Sequence, residues 1–111
     1  MSSPITTHVL DTASGKPAAG VPIVLEREEG GAFVEVGRGE TDADGRLRTL
    51  LPAGPLVPGI YRITFDTAAY FAGKDAFYPY VPIVFLAKDP KAHYHVPLLL
   101  SPFGISTYRG S

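Results

Sequence analysis

The chain contains no cysteine. That excludes a disulfide scaffold, a thiolate zinc site and a cysteine nucleophile. It leaves the redox compartment open, because a cysteine-free chain suits reducing and oxidising surroundings alike. An excess of either charge is also missing. Ten Lys and Arg stand against 11 Asp and Glu, for a formal net charge of −1. A duplex-binding surface needs a concentrated positive field, and this balance has no surplus to make one. No apolar run approaches the ~20 residues of a membrane-spanning helix. The opening Met1-Ser2-Ser3-Pro4 lacks a basic segment followed by an apolar one, so no secretory signal is expected. Arg109-Gly110-Ser111 is not a peroxisomal address. The sequence also lacks a P-loop, a dinucleotide fingerprint and a Gly-x-Ser-x-Gly elbow. The expectation is a cytoplasmic protein that binds neither nucleic acid nor membrane.

What the chain does have is punctuation. Its 111 residues include 12 Gly and 11 Pro, spread along the whole length. Short runs rich in Val, Ile, Thr, Tyr and Phe lie between them. That pattern predicts an all-β sandwich or barrel, of about eight strands by the same rule. The length supports one domain over residues 1–111, large enough to bury roughly two-thirds of its unfolded surface. Predicted strands cover Ile5 to Asp11, Val21 to Glu28, Ala32 to Gly39, Arg46 to Leu51, Ile60 to Asp66, Tyr80 to Ala87, His93 to Ser101 and Ile105 to Tyr108. Gly30-Gly31 is a hairpin turn. Within Ile60 to Asp66 the alternation puts Tyr61, Ile63 and Phe65 on one face. Thr67 to Lys74 is the one predicted helix, with Thr67 as its cap and Gly73 near its end.

Three histidines are candidates for chemistry, and all fall on predicted strands. Alternation turns His93 and His95 to one side of their strand and Tyr94 to the other. The apolar run Val96-Pro97-Leu98-Leu99-Leu100 anchors that strand and would hold a histidine at its edge rigidly. His8 faces away from the core if Val9 faces it, and inward if Leu10 does; alternation leaves both open. A three-histidine zinc site is chemically possible, but H-x-H with one remote histidine is a weak signal. No acidic neighbour offers itself to orient the imidazoles. Arg46 follows the Asp44-Gly45 turn. It reads either as a solvated turn charge or as a planar fork for a carbonyl or anionic ligand. Asp42-x-Asp44-Gly45 reads as turn chemistry, since the rest of a calcium loop is missing. The end, Ser106 to Ser111, reads either as a fraying tail or as a source of short-range polar groups, Tyr108 being a large residue for a loose end.

The segments Thr6-Thr7-His8-Val9-Leu10-Asp11, Thr41-x-x-Asp44-Gly45-Arg46, Phe77-Tyr78-Pro79 and His93-Tyr94-His95-Val96-Pro97-Leu98-Leu99-Leu100-Ser101-Pro102 resemble the transthyretin-related proteins over nearly the full length. The tail Ser106-Thr107-Tyr108-Arg109-Gly110-Ser111 resembles that of one branch of the family, the 5-hydroxyisourate hydrolases. The resemblance implies a transthyretin-like two-sheet β-sandwich with one short helix. It implies hydrolysis of the cyclic amide of 5-hydroxyisourate to 2-oxo-4-hydroxy-4-carboxy-5-ureidoimidazoline, in urate degradation, without cofactor or metal. It further implies catalytic roles for His8, Arg46, His95 and Ser111, with Tyr108, Arg109 and Gly110 at the substrate. The implied assembly is a homotetramer, a dimer of dimers with sites where the dimers meet. Ile105 stands where the family tail usually carries a tyrosine, so that position offers no hydroxyl. The competing reading is a carrier with the same fold and no chemistry.

Overall fold

The computed structural model describes residues 3–111. Among the described residues, nine strands make two facing sheets, accompanied by one helix. The strands are β1 (Ile5–Asp11), β2 (Lys16–Pro17), β3 (Pro22–Glu29), β4 (Ala32–Glu40), β5 (Arg46–Leu47), β6 (Gly59–Phe65), β7 (Val81–Ala87), β8 (Tyr94–Leu100) and β9 (Ile105–Thr107). The helix α1 spans Thr67–Phe71. One sheet runs β2-β1-β8-β9, with β5 also paired to β1; the other runs β4-β3-β6-β7. All pairings are antiparallel except β1 with β8, which run parallel.

Alternation decides what fills the space between the sheets. Tyr61, Ile63 and Phe65 of β6 are fully buried, as their spacing predicts, together with Ile5 and Val9 of β1, Leu25 of β3, and Leu98 and Leu100 of β8. Because Val9 faces this core, His8 faces away from it. Gly30 and Gly31 turn β3 into β4, as expected.

Several boundaries differ from the sequence reading, each for a local reason. The helix is shorter than Thr67 to Lys74, and its cap is Asp66 rather than Thr67. Asp66 Oδ1 accepts the Ala69 N–H at 3.0 Å, while the Thr67 hydroxyl turns away to donate to the Tyr78 carbonyl. The helix ends at Ala72, in left-handed backbone at φ 50°, one residue before Gly73. The strand expected over Arg46 to Leu51 stops at Leu47. Beyond it the Arg48 carbonyl accepts the Ser3 N–H, and the Leu51 N–H donates to Ser3 Oγ, so the chain ties to the N-terminal segment instead of continuing the ladder. The two-residue β2 is an addition too short to carry a sequence signal. His93 lies one residue ahead of β8 rather than inside it.

Candidate active site

The parallel pairing of β1 with β8 assembles the site. Its register sets Thr6 opposite His95 and His8 opposite Pro97. On the other edge of β1, β5 sets Arg46 opposite His8. Paired residues share a sheet face, so Arg46, His8, Thr6 and His95 project together from the outer face, across three neighbouring strands. A fourth segment closes the row. The tail returns alongside β8, and the Gly110 N–H donates to the His95 carbonyl at 2.8 Å.

Each side chain is fixed by its surroundings. Arg46 follows a turn that Asp42 organises: Asp42 Oδ1 accepts the N–H of Asp44 at 2.9 Å and of Arg46 at 3.0 Å. The Asp42 N–H donates to the Arg46 carbonyl at 2.8 Å. The two bonds to its carboxylate, that from the Arg46 N–H first, lower the Asp42 carboxyl below the usual aspartate range, and the Arg48 and Arg46 charges add to this. Gly45 takes φ 76°, and a β-carbon there would lie 2.5 Å from the Val9 carbonyl oxygen, so the turn admits only glycine. Asp42→Ala is therefore expected to leave the fold intact and weaken catalysis about tenfold by loosening the Arg46 backbone. Circular dichroism alongside steady-state kinetics checks this, and unchanged kinetics would contradict it.

The histidine pair has an orienting group after all, a hydroxyl in place of a carboxylate. Thr6 Oγ1 lies 3.0 Å from His93 Nε2 and 2.9 Å from His95 Nδ1. The two rings stack with centroids 6.3 Å apart and planes 20° apart. Thr6 is nearly fully buried, whereas His95 is partly covered and His93 is exposed. With Nδ1 engaged by Thr6, His95 Nε2 is the nitrogen left for chemistry. Burial pushes the His95 imidazole below its ordinary pKa of 6.5, and His93, Arg46 and His8 push the same way. The sequence reading missed Thr6. Its one available signal was the i, i+2 spacing to His8, which places both on one face of β1.

The tail residues divide. Gly110 sits against the His95 ring so closely that an added β-carbon would lie 2.5 Å from Cδ2. The Arg109 guanidinium lies over the Tyr94 ring at 4.5 Å, and Tyr94 points to the opposite side of β8 from His95. Tyr108 is 58 % exposed. With Arg109 and Tyr94 it lines a cleft of about 330 Å³ against Phe85 and Leu86 of β7. Ser111 ends the chain, exposed. Among the described residues, no three His, Asp or Glu side chains are grouped so as to hold a metal ion.

A family model described as HIUase/Transthyretin family matches residues 5–110. The 5-hydroxyisourate hydrolase of Salmonella typhi is 46% identical over 112 residues, covering 99% of this chain and 82% of that protein. The solved structure of Klebsiella pneumoniae 5-hydroxyisourate hydrolase superposes with a TM-score of 0.84 at 39% identity, covering 100% of both chains. Sea bream transthyretin in complex with thyroxine superposes with a TM-score of 0.89 at 33% identity, covering 97% of this chain and 95% of that one.

Proposed function

The chain belongs to the HIUase/Transthyretin family, and we propose that it is a 5-hydroxyisourate hydrolase of urate degradation, opening the ring by hydrolysis of its cyclic amide. The fold does not separate enzyme from carrier, since a hydrolase and a transthyretin both superpose closely. The relatives and the site do. The single observation that carries the reading is the Gly110–His95 bridge. It lays the Tyr108 to Ser111 tail beside a rigidly held imidazole, in line with His8 and Arg46.

The geometry suggests a division of labour. His95 Nε2 takes a proton from water, and a lowered pKa suits it, because the imidazole is then neutral at neutral pH. The hydroxide adds to the ring carbonyl, and Arg46 faces the developing oxyanion with a planar pair of donors. As the carbon–nitrogen bond breaks, His8 gives a proton to the leaving nitrogen and regains one from solvent. Tyr108 and Ser111 orient the substrate, while Arg109, held on Tyr94, anchors the tail. No cofactor enters this scheme.

The proposed assembly is a homotetramer. The catalytic row lies on an outward sheet face, which a second copy can cover. The edge strands carry exposed apolar side chains (Val84, Leu86 and Ile105) suited to strand-to-strand pairing. No helix among the described residues is long and apolar enough to cross a membrane, and the proposed location is the cytoplasm.

The test is the ultraviolet decay of freshly generated 5-hydroxyisourate, with the spontaneous rate as baseline. Acceleration that a chelator leaves unchanged, from a particle of tetramer mass, is the expected result. A well-folded tetramer that does not change the decay would move the protein to the carrier class.

A further inference from the structure

His93 is outside the catalytic row, yet its ring is tied to that of His95 through one shared hydroxyl. Thr6 Oγ1 has a single proton, so it can donate to at most one of the two imidazoles. For both contacts to be hydrogen bonds, at least one ring must present an N–H to it. A hydroxyl that donates to one ring and accepts from the other couples their tautomers: if His95 carries its proton on Nδ1, His93 Nε2 is bare, and the reverse. The three heavy atoms form a continuous path with steps of 2.9 and 3.0 Å, from a partly covered imidazole through a buried hydroxyl to an exposed one.

We propose that His93 and Thr6 form a proton relay that clears to solvent the proton His95 takes from the attacking water. The proposal rests on the hydrolase reading and deepens it. In the starting arrangement His95 holds its proton on Nδ1 and Thr6 donates to His93 Nε2. When Nε2 of His95 accepts a proton from water, the Nδ1 proton passes to Thr6 Oγ1. The Thr6 proton passes to His93 Nε2, and His93 releases its Nδ1 proton to bulk water. One proton enters the path and one leaves it, and His95 is left neutral with its proton on Nε2. The reverse transfer, with His93 Nδ1 taking up a proton from bulk water as His95 Nε2 gives its own to water in the emptied site, restores the starting tautomers for the next turnover. The groups facing His95 favour this discharge. His8 on β1, Arg46 on β5 and His93 itself are all cationic or able to become so, so a further positive charge on the partly covered His95 ring is poorly tolerated. Thr6 and His93 are thus positioning residues that act through His95.

Two readouts test this. The first is imidazole 15N spectroscopy of the whole protein without substrate, above pH 7. The wild type should show one dominant tautomer on His95 and the complementary one on His93; Thr6→Val should show mixtures, and Thr6→Ser should restore the wild-type pattern. The second is turnover at low buffer concentration. Thr6→Val and His93→Gln should each lose about tenfold or more in kcat with KM retained. Added imidazole, a diffusible proton carrier, should rescue His93→Gln. Thr6→Val tautomers identical to wild type, or undiminished kcat in His93→Gln, would overturn the relay. If the wild type fails to accelerate the decay, the hydrolase reading falls separately, and the nitrogen spectra still decide whether Thr6 couples the rings.

Discussion

Replacing His95 by glutamine is expected to lower kcat/KM for ring opening by about 10²- to 10⁴-fold, the span of general base catalysis. Glutamine keeps a polar group near Thr6 but cannot take up a proton. The loss should fall mainly on kcat, because the proposed base acts in the transition state and contributes little to ground-state binding. The wild-type pH profile follows from the same residue. A base works when neutral, and burial, His93, Arg46 and His8 together hold His95 below 6.5. The acid limb of the profile should therefore lie below 6.5, with activity falling about tenfold per unit beneath the lowered pKa. Arg46→Gln removes one of the repelling charges. Its residual activity, about 10²- to 10³-fold down from the loss of the proposed oxyanion donor, should show an inflection shifted upward toward 6.5. An inflection that stays in place would separate Arg46 from the electrostatics of His95.

The second large effect is expected from a single methyl group. Gly110→Ala puts a β-carbon 2.5 Å from His95 Cδ2, and 3.2 Å from both His95 Cγ and Pro97 Cγ. Contact at 2.5 Å is impossible without movement, so either the tail lifts from β8 or the imidazole turns. Both break the arrangement: the first opens the bond from the Gly110 N–H to the His95 carbonyl, and the second swings Nε2 off line. A displacement of about 1 Å at a reacting group costs on the order of a hundredfold, and that is the expected fall in kcat/KM. Stability should change little, because the tail lies outside the core. The paired control is Gly104→Ala, where an added β-carbon comes no closer than 3.3 Å to the Ser101 hydroxyl and activity should persist. Equal activity in the two variants would show that the tail takes no part in the site.

The alternation of Tyr61, Ile63 and Phe65 was legible because a strand's two faces are set by local geometry alone. The Gly30-Gly31 turn and the Asp42 to Arg46 turn were legible for the same reason: their hydrogen bonds close within a few residues. The helix cap was misplaced by one residue. Asp66 and Thr67 are both good caps in isolation, and the Tyr78 carbonyl, 11 residues away, drew the threonine hydroxyl off.

By itself, the sequence determined the two-layer β architecture, the family and the chemical types available at the site: two imidazoles on one side of a strand, a guanidinium after a glycine turn, a polar tail. Only the tertiary structure decided that they meet. Thr6 and His95 are 89 residues apart, and nothing in either segment specifies that β1 pairs with β8, in parallel, with those two residues opposite. Likewise His8 could face inward or outward until Val9 was committed to the core. The tail's place beside His95 depends on a backbone bond and on the missing side chain of Gly110. Local alternation fixes which residues share a face of one strand; the register between distant strands is fixed by packing two whole sheets together, and the site exists only in that register.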